Sequence, residues 1–275
     1  TVTGVQTCAL PISPGIHDVA CALKRVKHSA PGLGGLPYCA WAAAGEFGIQ
    51  TLYLVMTHLL CGLMMPLEFN SSLMVFIPKG EEPDERTIVR ETCNTRPLSL
   101  KNSDNKIICT IINYTLRTPL ATHACPLQRG FVPGRQLVSN VVDLDIYGRI
   151  FGMQAVDADP PLLTLCDFAA AFPSMSHSWL FACLTALGLP SGAADLIAGV
   201  YLVNLAFTAA GGALLPLFFI MAGVLQGCPL SGCLFAIGVD PFLWWMRQSI
   251  ELPGLGKIRV CADDIGAALK KLSAL

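Results

Sequence analysis

The chain has 275 residues, of which 53% are hydrophobic and 13% charged. That is ample material for a core and too little charge for a disordered chain. The net charge of −1 hides an asymmetry: residues 24–135 carry twelve Lys and Arg against eight Asp and Glu, and residues 136–275 carry six against ten. A basic first half and an acidic second half suit an anionic substrate held over a metal-loaded acidic site, although ordinary scatter explains an imbalance of this size equally well. Twelve cysteines occur without any CxxC pair and with five histidines, which matches no common zinc ligand set. Cys109, Cys166 and Cys183 lie inside apolar runs, where cysteine acts as a small hydrophobe, and a reducing compartment is expected.

In chain order, residues 2–12 (VTGVQTCALPI) read as the in-frame translation of a sequencing adapter. Residues 1–12 are therefore expected to be non-native and to stand outside the fold. Residues 29–41 form a Gly/Pro loop after the basic cluster Lys24, Arg25 and Lys27, and residues 47–65 are predicted helical. Strands at residues 72–78 and 96–100 flank a charged loop, with Lys79 and Arg96 at its two roots. Such a pair can grip an anion from both sides, Arg through its planar fork and Lys as a point charge; ordinary strand-end charges are the plainer reading. Ser103 caps a helix predicted to reach about residue 116. Residues 128–135 (QRGFVPGR) form a turn-rich loop, followed by a helix from Gln136 with Leu137, Val141 and Leu144 at helical spacing.

The apolar run 162–166 reads as a buried strand ending at Asp167. A helix over 176–187 and another from Ser191 follow. Residues 205–209 and 213–220 bracket Gly211-Gly212 as a hairpin, and Pro216 marks its second arm as an edge strand. Residues 223–232 (GVLQGCPLSG) feed a helix to about Arg247, with Pro229 in its first turn. Gly227 would let a ligand approach the backbone, beside the Gln226 amide. Residues 257–269 (KIRVCADDIGAAL) then read as strand, tight turn, strand, with Asp263 and Asp264 at the tip. Adjacent carboxylates repel unless a cation lies between them.

In order, the chain thus shows APGLGG, IPKG, RPLSL, QRGFVPGRQ, DFAAAFPS, GVLQGCPLSG and CADD. This succession resembles the fingers and palm motifs of reverse transcriptases, most closely the non-LTR retrotransposon (LINE) type, over about residues 24–269. The resemblance implies an α+β right-hand polymerase: a fingers region over 13–155, then a palm over 156–275 whose antiparallel sheet, with packed helices, carries the aspartates. The chain stops eleven residues after Asp264, so the thumb, like an endonuclease ahead of the fingers, is expected to be missing. The implied activity is RNA-directed DNA synthesis from dNTPs on a DNA primer and an RNA template.

Nucleotidyl transfer uses two metal ions about 3.5–4 Å apart, here Mg²⁺ with Mn²⁺ as an alternative. By the resemblance, Asp167 and Asp263 bridge the metals, and Asp264 turns toward the primer end or the second metal. Lys79 and Arg96 contact the triphosphate. Phe172, five residues after Asp167, is the steric gate against a ribose 2′-hydroxyl. Gln226 and Gly227 line the nucleotide pocket. Gln128, Gly130, Phe131 and Arg135 lie along the template. Cys261 replaces the usual Tyr before the acidic pair, and Gly34 stands where Asp is expected. Cytoplasm and nucleus are the implied locations, with an endonuclease and thumb of the same polyprotein as partners. Two rivals stay open on the sequence: a catalytically inert retroelement remnant, and a membrane protein built on the uncharged runs 47–67 and 196–239.

Overall fold

Gly48, Leu52, Met56 and Leu59, spaced four, four and three residues apart, form the buried face of a helix at Gly45–Leu60. That spacing is the helical period that the uncharged run 47–65 carries in the sequence. The structure, a computed structural model, describes residues 14–25, 29–80, 91–155 and 158–274. The adapter-like segment 1–12 lies outside them, as does most of the charged loop after Lys79.

The helices and strands of the first part are α1 (Ile16–Arg25), α2 (Tyr38–Ala43), α3 (Gly45–Leu60), α4 (Leu67–Asn70), β1 (Ser72–Pro78), β2 (Thr95–Lys101) and α5 (Ser103–His123). Then come α6 (Val138–Met153), β3 (Leu162–Cys166), α7 (Ala171–Ser174), α8 (His177–Ala186) and α9 (Ser191–Tyr201). The last are β4 (Asn204–Ala210), β5 (Ala213–Ile220), α10 (Ser231–Met246), β6 (Gly256–Cys261) and β7 (Asp264–Leu269). Two compact units interleave along the chain: residues up to Asn113 with Gly188–Ser231, and Tyr114–Leu187 with the residues from Gly232 onward. A single boundary at 155/156 does not describe this division.

The first unit holds a four-stranded sheet ordered β2-β1-β4-β5. β1 and β2 pair antiparallel from Ser72↔Lys101 to Pro78↔Thr95, and β1 meets β4 in parallel at Ser72↔Ala206. β2 and β5 are the edges, and each carries an internal proline, Pro97 and Pro216. Proline lacks the N–H that a central strand needs, so edge placement costs no ladder bond. In this unit α3 packs on α9, where Gly199 leaves room for the Leu59 side chain. Beneath the sheet end, Lys101 is fully buried, and its ammonium donates to the Val200 carbonyl at the C-terminal turn of α9. Burial pushes the Lys101 pKa down.

The second unit holds a three-stranded antiparallel sheet ordered β3-β7-β6. α6 crosses it, with Leu144 lying where a side chain on Gly266 of β7 would stand. Asp143 on α6 accepts from Arg259 Nε on β6 (2.6 Å) and from Arg129 Nη2 (2.9 Å), and Glu251 accepts from Arg259 Nη1 (2.8 Å). Cys233, Leu234, Phe235 and Leu243 of α10 are buried, as are Leu180, Cys183 and Leu184 of α8. Among the described residues no helix is long and apolar enough to cross a membrane.

Four local expectations change. β3 forms over the predicted residues but is not buried: Leu163 is 56% exposed and Leu165 77%. It is an edge strand paired with β7, so its apolar run records composition, not coverage. α5 continues past residue 116 to His123 with Pro119 inside it. α6 begins at Val138, and Leu137 and Val141 face outward while Leu144 packs on the sheet. α10 begins at Ser231, leaving Pro229 in the preceding turn. There the Ser231 hydroxyl donates to the Leu225 carbonyl (2.6 Å) and pairs with the buried Tyr201 hydroxyl (2.6 Å).

Candidate active site

β6 and β7 form the predicted hairpin, in register from Gly256↔Leu269 to Cys261↔Asp264. That last pair leaves a two-residue turn, Ala262-Asp263. Ala262 adopts φ 59, a left-handed value that costs a residue with a Cβ about 1–2 kcal/mol. Surroundings must therefore hold it. They do so through Gln128, which is fully buried. Ala262 N donates to Gln128 Oε1 (2.8 Å), and Gln128 Nε2 donates to the Ala262 carbonyl (3.2 Å). The same Oε1 accepts from Gly130 N (2.8 Å). Arg129 N donates to the Val260 carbonyl (2.8 Å), Val260 N donates to that of Leu127 (3.0 Å), and Asn140 Nδ2 also reaches Val260 O (3.1 Å). A short stretch of backbone thus runs in parallel beside β6 and grips the turn.

β3 pairs with β7 as far as Cys166↔Ile265. One further step of the same register sets Asp167 alongside Asp264. Asp167, Asp263 and Asp264 therefore share one end of the β3-β7-β6 sheet. Asp263 occupies the turn and is half-buried, whereas Asp264 opens β7 and is exposed, as is Asp167. The two neighbouring aspartates are inequivalent in backbone and in exposure. Burial pushes the Cys261 thiol pKa up, and the Asp264 and Asp263 charges push it further, so this thiol stays protonated beside them. Among the described residues no lysine or arginine pairs with the three aspartates, and no three His, Cys, Asp or Glu side chains converge as a ready-made metal cluster. The donor set is nonetheless all carboxylate oxygen and reaches solvent, which suits hard Mg²⁺ or Mn²⁺.

Phe172 lies on α7, reached through Ala170 at φ 55. Its ring stacks on Phe235 of α10 (centroids 4.7 Å, planes 7° apart) and meets Phe131 edge-on (5.8 Å, 71°). Phe235 and Asn140 were not anticipated; each joins the site through contacts distant in sequence, which local pattern cannot carry.

The remaining site residues belong to the first unit. Lys79 N donates to the Asn94 carbonyl (2.9 Å) one step beyond β1, and Arg96 pairs with Ile77. By strand alternation both side chains lie on one face of the β1–β2 hairpin, at the end where its connecting loop begins. Both are exposed, and Lys79 Nζ donates to the Cys93 carbonyl (2.9 Å). The Gln226 carbonyl accepts from Ser99 N of β2 (2.8 Å). Gly227, at φ 99, presses its Cα against β2: a Cβ there would stand 2.9 Å from the Ser99 carbonyl oxygen and from Leu98. The close approach that this glycine permits is to a neighbouring strand.

Three residues of the QRGFVPGR loop, expected along the template, are tied into the fold by contacts within the chain. Gln128 spends its amide on the hairpin turn. Gly130 is where it is because a Cβ would overlap the Ala262 backbone nitrogen. Arg135 donates Nη1 to the carbonyls of Cys125 (2.6 Å) and Gln128 (2.7 Å), and Nη2 to that of Ala124 (2.9 Å). Its guanidinium closes the backbone after α5. Phe131 alone of the four presents substantial surface, at 51% exposure.

A strand-borne carboxylate beside a carboxylate hairpin, on a small antiparallel sheet packed by helices, is the layout of a polymerase palm. The fold is shared with telomerase from Candida albicans, solved in complex with a fragment of telomeric RNA: TM-score 0.54, 11% identity, covering 83% of this chain and 43% of that one. The model of the reverse transcriptase (RNA-dependent DNA polymerase) family matches residues 77–275, and the chain belongs to that family. Among curated relatives, the chain is 28% identical over 246 residues to the transposon TX1 149 kDa protein of Xenopus laevis, covering 86% of this chain and 17% of that protein. It is 27% identical over 241 residues to a Pol polyprotein of the R2 retrotransposable element of Popillia japonica, covering 87% and 31%. These relatives mark a reverse transcriptase domain of the non-LTR, LINE type. The chain spans less than a third of either relative.

Proposed function

We propose that this chain is the fingers and palm of an RNA-directed DNA polymerase that adds dNTPs to a primer 3′ end by two-metal catalysis, releasing pyrophosphate. The single observation that carries this reading is the common location of Asp167, Asp263 and Asp264 at one end of the second unit's sheet, in a chain of this family. When bound, a pair of Mg²⁺ ions would activate the primer hydroxyl and neutralise the triphosphate. Asp167 and Asp263 would hold these ions through their carboxylate oxygens, and Asp264 would serve the second ion or the primer end. Lys79 and Arg96 hold the triphosphate of the incoming nucleotide by charge-assisted hydrogen bonds. Phe172 presents its ring to the sugar and excludes a 2′-hydroxyl. Gln226 and Gly227 border the nucleotide.

The test is primer extension on an RNA template, in the longest open frame that carries these residues, with and without Asp263→Asn. Loss of a metal oxygen should lower the Mg²⁺-dependent rate by at least about a hundredfold, since outer-shell changes alone cost 10–100-fold. Extension at the unmutated rate would sink the assignment. An inert unmutated protein would favour the remnant reading.

A further inference from the structure

We propose that residues 127–131 are a positioning element that holds both the carboxylate hairpin and the nucleotide gate, with Gln128 and Phe131 as its two working side chains. The inference rests on the reading of the hairpin as the metal-binding end and of Phe172 as the gate. Its first arm is the Gln128 amide. Ala262 is a non-glycine residue held at positive φ directly before Asp263, and Gln128 satisfies both its N–H and its carbonyl. No other side chain among the described residues hydrogen-bonds the Ala262 backbone. Gly130, bonded to the same amide oxygen, lets this backbone approach the turn. Asp263 therefore inherits its position from Gln128, much as a metal ligand inherits orientation from an outer-shell partner.

The second arm is Phe131. It too sits at positive φ (60°), which directs its ring over Gly232, where any Cβ would overlap the ring. From there it meets Phe172 edge-on, while Phe235 stacks on the same Phe172 ring. Two aromatic contacts of this kind fix a ring that would otherwise turn about χ1 and χ2. Only two residues, Arg129 and Gly130, separate the two arms in sequence, so a shift of the loop moves the turn and the gate together.

Hydrogen exchange, followed by mass spectrometry on the chain as it stands, tests the element without requiring catalysis. Gln128→Met keeps the side-chain volume and removes the amide; exchange at Ala262 and Gly130 should rise at least about tenfold, the loss of a specific hydrogen bond being worth that much. Phe131→Ala should raise exchange across residues 171–174, and Phe131→Tyr should restore it. In primer extension, Gln128→Met should lower kcat about 10–100-fold with little change in KM for dNTP. Phe131→Ala should instead cut the preference for dNTP over rNTP about tenfold. Should Gln128→Met fail to fold, Gln128→Glu retains the acceptor for both N–H groups, and it should keep Ala262 protected while still slowing kcat. Unchanged exchange at the turn in Gln128→Met, or in 171–174 for Phe131→Ala, overturns the proposal. Changed exchange in a protein whose unmutated form never extends a primer leaves the positioning element standing and overturns the catalytic reading.

Discussion

Gly130→Ala is the sharpest structural perturbation available near the site. The new methyl would overlap the Ala262 backbone nitrogen and stand 2.9 Å from Ala262 Cα and from the Cys261 carbonyl carbon. All three neighbours are backbone, so no flexible side chain can yield, and either the loop or the hairpin must move. Overpacking of this kind costs about 1–3 kcal/mol. Movement also stretches the two hydrogen bonds to Gln128 Oε1, each worth about 0.5–1.5 kcal/mol net. The expected loss is therefore about 2–6 kcal/mol. Urea unfolding followed by tryptophan fluorescence reads it, because Trp179, Trp244 and Trp245 all lie in the second unit and only Trp41 lies in the first. Gly148→Ala is the control: it lies mid-helix in α6 with open space around its Cα, so it should stabilise by about 0.5–1 kcal/mol. A Gly130→Ala midpoint equal to the unmutated one, with unchanged slope, would refute the close contact on which the clamp depends.

Arg135→Ala should destabilise the second unit by about 2–3 kcal/mol, because three backbone carbonyls lose a charged donor; the salt dependence of RNA binding should keep its slope, which a phosphate-contacting arginine would lower. Asp143 gives a pH prediction. The Arg259 hydrogen bond, aided by Arg129, holds its carboxyl below the usual carboxylate pKa. Its contribution is thus present above the unfolded pKa of about 3.9 and is lost as pH falls through the lower folded value. Asp143→Asn should flatten the acid limb of stability measured by urea midpoint between about pH 5 and 2; an unaltered limb would contradict the pairing.

Much of this architecture was legible in the residues. The β1–β2 and β4–β5 hairpins and the acidic hairpin announce themselves through alternation and turn residues, which are local signals. The apolar run of β3 was legible as a strand but not as an exposed edge, since Leu163 and Leu165 look the same to a sequence reader whether or not anything covers them. The Pro119 turn of α5 was missed because proline usually ends a helix, whereas here it lies one turn from the C-terminus. The internal contacts of QRGFVPGR were not legible for a different reason. Gln128 meets Ala262 across 134 residues of chain, and nothing in either segment alone points to the other. Positive φ at Ala262 and Phe131 is equally silent in sequence, because neither is glycine or asparagine.

The most direct test of the central claim compares single-turnover primer extension by the unmutated protein with Asp167→Asn, Asp263→Asn and Asp264→Asn across a Mg²⁺ titration. The account predicts that Asp167→Asn and Asp263→Asn each lose at least about a hundredfold at every Mg²⁺ concentration, with Asp264→Asn less impaired. Extension by Asp167→Asn or Asp263→Asn at the unmutated rate would contradict it.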